Sequence, residues 1–260
     1  MTPLSSARRL SRRLAALPDG AMRRAVMAEQ LDALGASGAI ELLVDLRALA
    51  PLPPHPEYAA LETFGMLLAA PGALPYELLA ELYAEARARG ADDLARFLLD
   101  SPAALALAGG ARISPDPKLA DVPLGVRKQL ARSNRRDKLE RLFADPEPLV
   151  IRQLLQNPKV TEADVVRMAA RRPAVAGVLR ELFRAERWIR RYAVKRTLVM
   201  NPYTPGEIAA RLLPLLRRED LRAIAVDPTL HARVRADALT LAGGRASSVR
   251  RSSSPPPTRR

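Results

Sequence analysis

The 260-residue sequence has no cysteine, which excludes disulfides, thiolate nucleophiles, iron–sulfur clusters and thiolate zinc sites. Histidine is almost as scarce. His55 and His231 are the only imidazoles, and both sit in turn-like settings, Pro54-His55-Pro56 and Thr229-Leu230-His231. Metal centres and nucleophile–base pairs usually rest on imidazole, so neither a metal nor another cofactor is expected. Aromatic residues make up 4% of the chain and β-branched runs are few, which disfavours strands. No uncharged apolar run reaches the roughly 18 residues a membrane span needs. The longest uncharged stretch, 63–76, is broken by Gly65, Pro71, Gly72 and Pro75. Enzyme signatures are missing as well: there is no glycine-rich loop ending in Lys-Ser/Thr, no His-Glu-x-x-His, no Gly-x-Ser-x-Gly and no spaced carboxylate cluster. The chain is therefore expected not to be an enzyme.

What remains is rich in Ala, Leu and Arg, residues with low helix penalties, and the expected class is all-α. The net charge is +14 and is unevenly spread. Residues 1–30 carry six basic and two acidic side chains, 31–110 four and eleven, 111–245 twenty-eight and fifteen, and 246–260 four and none. An acidic region is thus followed by a basic one. Only five of the 42 cations are lysines, the first of them Lys118. Arginine's planar donor fork suits carboxylate and phosphate alike.

Punctuation divides the chain into a basic segment 1–20, an acidic helical region 21–108, a linker 109–123, a basic region 124–243 and a Ser/Pro/Arg tail 244–260. The first segment alternates Arg8, Arg9, Arg12 and Arg13 with Leu4, Leu10 and Leu14, the pattern of an organelle transit peptide. The same composition pervades the whole chain, so a cytoplasmic protein is expected. Apolar spacing predicts helices over 21–34, 38–49, 56–70, 75–89 and 91–100, the second and third separated by Pro51, Pro53, Pro54 and Pro56. From Ala246 onward almost nothing is apolar, and disorder is expected.

Asp145-Pro146, Asn157-Pro158, Asn201-Pro202 and Asp227-Pro228 punctuate the second half, each marking a helix boundary. Thr161 and Thr204 both precede an acid by three residues, as in a capping box, and lie 43 residues apart. With that shift Val165 falls on Ile208, Ala169 on Leu212 and Ala170 on Leu213. Short helices, Asx-Pro turns and a period in the low forties resemble HEAT or armadillo repeats. The phrases VIRQLLQNP, ADVVRMAARRP and WIRRYAVKRTLVMNPYTP also resemble leucine-rich-repeat-variant units. The resemblance covers 124–243 and implies a right-handed α-solenoid of short helix pairs, with the N-terminal helices as an additional region in one elongated body.

A helix over 186–200 is expected to place Ile189, Tyr192, Ala193, Val199 and Met200 on one face, and Arg187, Arg191 and Lys195 on another beside Trp188. Arg167, Arg171 and Arg172 line a second helix, and Arg217, Arg218 and Arg222 a third, with Asp164 and Asp220 as local partners. Together these ten residues, Trp188 and the nine cations, form the candidate binding surface. Arg132, Arg135, Arg136 and Lys138 cluster at a helix break. The plain alternative for each group is solvated charge around a core.

The leading expectation is a non-enzymatic helical-repeat scaffold that binds another protein, with charge favouring an acidic partner. The alternative is a nucleic-acid-binding module using the arginine-rich half. A HEAT-like DNA glycosylase is a distant third reading, since fold does not fix function. The basic surface also has an internal match, the acidic segment 31–110, within the chain or between copies. Nothing in the sequence sets the oligomeric state.

Overall fold

In a computed structural model the described residues are 3–49, 56–70, 72–99, 103–107 and 113–251. His55, the proline run 51–54, part of the expected linker and residues 252–260 of the tail lie outside them. The chain is all-α, with no strand among the described residues. No helix there is long and apolar enough to cross a membrane.

The first five helices are α1 (Pro3–Ala15), α2 (Gly20–Leu49), α3 (Pro56–Ala69), α4 (Tyr76–Ala88) and α5 (Asp92–Phe97). The basic first segment is helical because Ala7, Leu10 and Leu14 form a single buried stripe, which packs α1 against α2 and α3. The two helices expected over 21–34 and 38–49 run on as α2 with a break at Gly35, whose φ of 61° is one that glycine adopts without strain. Leu78, Leu82 and Ala86 bury one side of α4 while Glu77 and Glu81 stay in water. Phe64 and Phe97 stack with ring centroids 5.5 Å apart and fasten α5 to α3.

The second half contains α6 (Leu124–Leu130), α7 (Arg136–Leu142), α8 (Pro148–Gln156), α9 (Glu162–Ala170), α10 (Ala176–Arg184), α11 (Glu186–Ile189), α12 (Tyr192–Val199), α13 (Gly206–Leu212), α14 (Arg218–Val226) and α15 (Ala232–Arg251). Helices this short are marginal alone and depend on neighbours to cover their apolar stripes. α8 packs on α6 and α10, α9 on α12, and α15 on α13 and α14. The expected linker ends in a 3₁₀ turn, Pro117–Leu119, capped by Asp116 and anchored by buried Leu119. α15 carries helical backbone to Arg251, into the segment that composition marks for disorder.

All four Asx-Pro dipeptides make one turn. The side-chain oxygens of Asp145, Asn157, Asn201 and Asp227 accept the backbone N–H two residues on, at 2.9, 2.9, 3.0 and 2.9 Å. Thr161 caps α9 in a reciprocal box with Asp164, as its spacing predicts. Thr204 does not cap α13. It is buried, and its hydroxyl donates to Leu198 O at 2.6 Å, a carbonyl at the end of α12 that also accepts the Asn201 N–H at 3.1 Å, and Pro205 takes the N-cap position.

The two halves pack on each other. α13 touches α3 and α5, Tyr58 Oη donates to Leu215 O at 2.8 Å, and Leu105 N–H donates to Pro202 O at 2.9 Å.

Candidate interaction groove

The helix expected over 186–200 breaks at Arg191, which takes an extended conformation (φ −75°, ψ 127°) between α11 and α12. Arg187, Arg191 and Lys195 therefore do not form one stripe. Lys195 is only 2% exposed: its Nζ lies 2.7 Å from Glu62 Oε1, donates to Arg190 O at 3.0 Å and sits 5.3 Å from the Tyr58 ring centre. Its ammonium faces the acidic half of its own chain. Arg191 stays exposed, 3.8 Å from Glu162.

The other expected arginines separate. Arg167 reaches Asp164 at 3.2 Å and lies over the Phe143 ring, while Arg172 donates to Met200 O at 2.5 Å. Arg217 lies 4.7 Å from the Tyr192 ring centre and 3.7 Å from Glu219, and Arg218 donates to Ala242 O at 3.1 Å. Arg171 and Arg222 are exposed, and no side-chain partner for either occurs among the described residues. The expected local pair Arg167–Asp164 forms, but both aspartates also take partners from further away. Asp164 is taken chiefly by Arg136, 28 positions upstream, through two bonds of 2.5 and 2.6 Å. These bonds, helped by Thr161, outweigh burial and hold its carboxyl down to about 2. Asp220 is bound by the Tyr192 hydroxyl and, at 2.6 Å, by Arg196; burial raises its pKa, but these donors win and the net shift is downward. Arg152 to Glu181 and Arg180 to Glu207 are pairs of the same reach, each tying one helix to a later one.

Around Trp188 several of these features converge on a groove of about 530 Å³. Trp188 is 3% exposed, and its Nε1 donates to Leu155 O at 2.8 Å, which seats the indole on the end of α8. The Arg187 guanidinium lies 4.4 Å over that ring. Glu181 accepts from Arg152 at 2.7 and 2.8 Å, and this raises the Arg152 pKa. Arg184 meets the same carboxylate only at 3.5 Å, the long end of hydrogen bonding. Glu186 turns away toward Arg24 and Arg23, occupying the space a Cβ on Gly20 would fill.

No known protein family, curated protein or solved structure matches the chain. Chemistry must then be read from the groove. Its lining has guanidinium donors, two carboxylates (Glu181 and Glu186) and an apolar floor of Leu155, Ala185 and Trp188, with no imidazole, hydroxyl or thiol. Among the described residues no three His, Asp or Glu side chains are grouped to hold a metal ion. Of the residues expected at the site, Arg187 and Trp188 line it; Arg152 and Arg184, which were not expected there, complete the rim. The trace of Arg152 in the sequence is an Arg-to-acid interval of 24 to 29 residues that recurs along the second half, and that of Arg184 is Glu181 three positions before it.

Proposed function

We propose that the chain is a non-enzymatic helical-repeat scaffold of the HEAT or armadillo kind, its second half a right-handed α-solenoid, and that the Trp188 groove docks an acidic segment of a partner protein. The observation that carries this reading is the state of the rim: Arg152, Arg184 and Arg187 surround the groove, while its two carboxylates are already held within the chain, Glu181 by Arg152 and Glu186 by Arg24. An incoming carboxylate meets donors rather than bare acids, over an apolar floor that excludes water from the contact. The alternation of α8–α10 and α9–α12 packing supports the solenoid.

The test is fluorescence anisotropy of labelled Asp/Glu-rich peptides and of single- and double-stranded DNA and RNA, at two salt concentrations, with wild type and an Arg184→Glu, Arg187→Glu double variant. Peptide binding lost in the variant is the expected result. Tighter nucleic-acid binding with a steep salt slope, unaffected by the variant, would move the function to exposed arginines outside the groove, such as Arg171 or Arg222, and overturn the groove.

A further inference from the structure

Beside the Trp188 groove, across Arg184, lies a second cavity of about 390 Å³. Two helices each present to it a pair of charged side chains four residues apart, on one face: Arg180 and Arg184 from α10, Glu207 and Arg211 from α13. Arg211 is only 8% exposed, and its Cβ lies against Gly65 of α3, 3.8 Å from where a glycine Cβ would stand. Arg180 and Arg184 are nearly half exposed and stand toward solvent. Buried Phe183 and Ile208, with three leucines of the acidic half, complete the lining.

We infer that this second cavity is a binding site for a phosphate group, free or carried as a monoester. Charge selects the occupant. The lining sets three guanidiniums against one carboxylate, an excess that the roughly two negative charges of a phosphate monoester neutralise and a single carboxylate does not. Neither nearby acid is left bare to repel an anion. Glu207 accepts from Arg180 at 3.1 Å, and Glu181 accepts two shorter bonds from Arg152, with Arg184 only at 3.5 Å. Arg184 therefore keeps donors for a ligand. Cations of two helices that share one recess repel each other, and an anion between them turns that repulsion into attraction, the more so where water is partly excluded. The planar arginine fork offers paired N–H groups to phosphate oxygens, and a buried arginine such as Arg211 has little freedom left to lose on binding. The site does not depend on what the Trp188 groove docks; Arg184 is the one arginine lining both.

The test is calorimetric titration of the full chain at neutral pH and fixed ionic strength with inorganic phosphate, with acetate, and with a Gly/Ser peptide carrying one phosphoserine beside its unphosphorylated twin. Saturable binding of phosphate or of the phosphopeptide is expected, with none of acetate or of the twin. Arg184→Gln and Arg211→Gln are each expected to weaken it about tenfold, the loss of one charged hydrogen-bonding partner. Arg187→Gln, which alters the groove alone, leaves it unchanged. Tighter binding of the phosphopeptide assigns the site to a phosphate borne by a protein, and tighter binding of inorganic phosphate assigns it to the free ion. The inference is overturned by an absence of saturable binding, by acetate binding as tightly as phosphate, by full affinity in Arg184→Gln, or by an equal loss in Arg187→Gln. Because Arg184 is near the surface, its variant decides the matter even if Arg211→Gln fails to fold.

Discussion

Asn157 and Asn201, 44 residues apart, make the same three hydrogen bonds. Each Nδ2 donates to two carbonyls at the end of an earlier helix, Ala131 and Ser133 in one case and Ala169 and Arg171 in the other, at 2.8 and 2.9 Å both times. Each Oδ1 accepts the N–H two residues on. One buried amide thus closes its own turn and fastens the turn to the neighbouring helix end.

Replacing either asparagine by alanine removes all three bonds and strands two carbonyls. A cost of about 2–4 kcal/mol is expected for Asn157→Ala and for Asn201→Ala, read from urea unfolding. Asn→Asp is expected to be no better, because a carboxylate cannot donate to the carbonyls. A loss below about 0.5 kcal/mol would show that the turns hold without the amide.

Asp164 gathers Arg136, Arg167 and both groups of Thr161. Its folded pKa, about 2, lies below the ordinary aspartate value of 3.8, so its contribution is present above the unfolded pKa and is lost as pH falls toward about 2. Asp164→Asn is expected to destabilise by about 2 kcal/mol at neutral pH and to flatten the stability profile over that acid range. An unchanged acid limb in the variant would assign that limb to other carboxylates.

The Lys195–Glu62 pair is buried, with side-chain exposures of 2% and 12%. Lys195→Met leaves a buried carboxylate without its cation, and a loss of about 3–5 kcal/mol is expected. Adding Glu62→Leu should recover most of it, because two apolar groups replace the pair. A denaturant double-mutant cycle with no recovery would mean that Arg190 O, the other acceptor of the ammonium, sets the cost.

Tyr192 donates to Asp220 and accepts the Arg217 N–H at 2.9 Å. Burial, reinforced by Asp220, pushes its phenol up to about 12. In an ultraviolet titration one tyrosine should ionise well above the ordinary value near 10, and that step should vanish in Tyr192→Phe. A pKa raised on folding means that the contribution is full below the unfolded value near 10 and is lost as pH rises through about 12.

Local chemistry was legible in the sequence and distant chemistry was not. The Thr161–Asp164 box follows from a spacing of three residues, and the buried face of α4 from the spacing of Leu78 and Leu82. The break at Arg191 has no glycine or proline to announce it. It comes from tertiary demands on both sides, the Trp188 indole reaching Leu155 O and the Lys195 ammonium reaching Glu62, which override helix propensity. Charge signs were readable, and the acidic and basic regions do meet at Glu62 and Lys195. The local Arg167–Asp164 pair was readable too, but which distant acid an arginine meets was not, because those partners sit on different helices, as with Arg136 and Asp164. The groove rim suffered the same way: Arg152 and Arg184 look like ordinary surface residues until α8 and α10 are side by side.

The bond from Tyr58 to Leu215 spans 157 residues. At translation rates of about 5–20 residues per second, the α3 face emerges from the ribosome on the order of ten seconds before the strip that will cover it. Throughout that interval Tyr58 and Glu62 have no partner from the second half, and the nascent first half is the form that chaperones and proteases meet. A mutation weakening this seam would therefore act first on yield during synthesis, before any effect on the finished protein is felt.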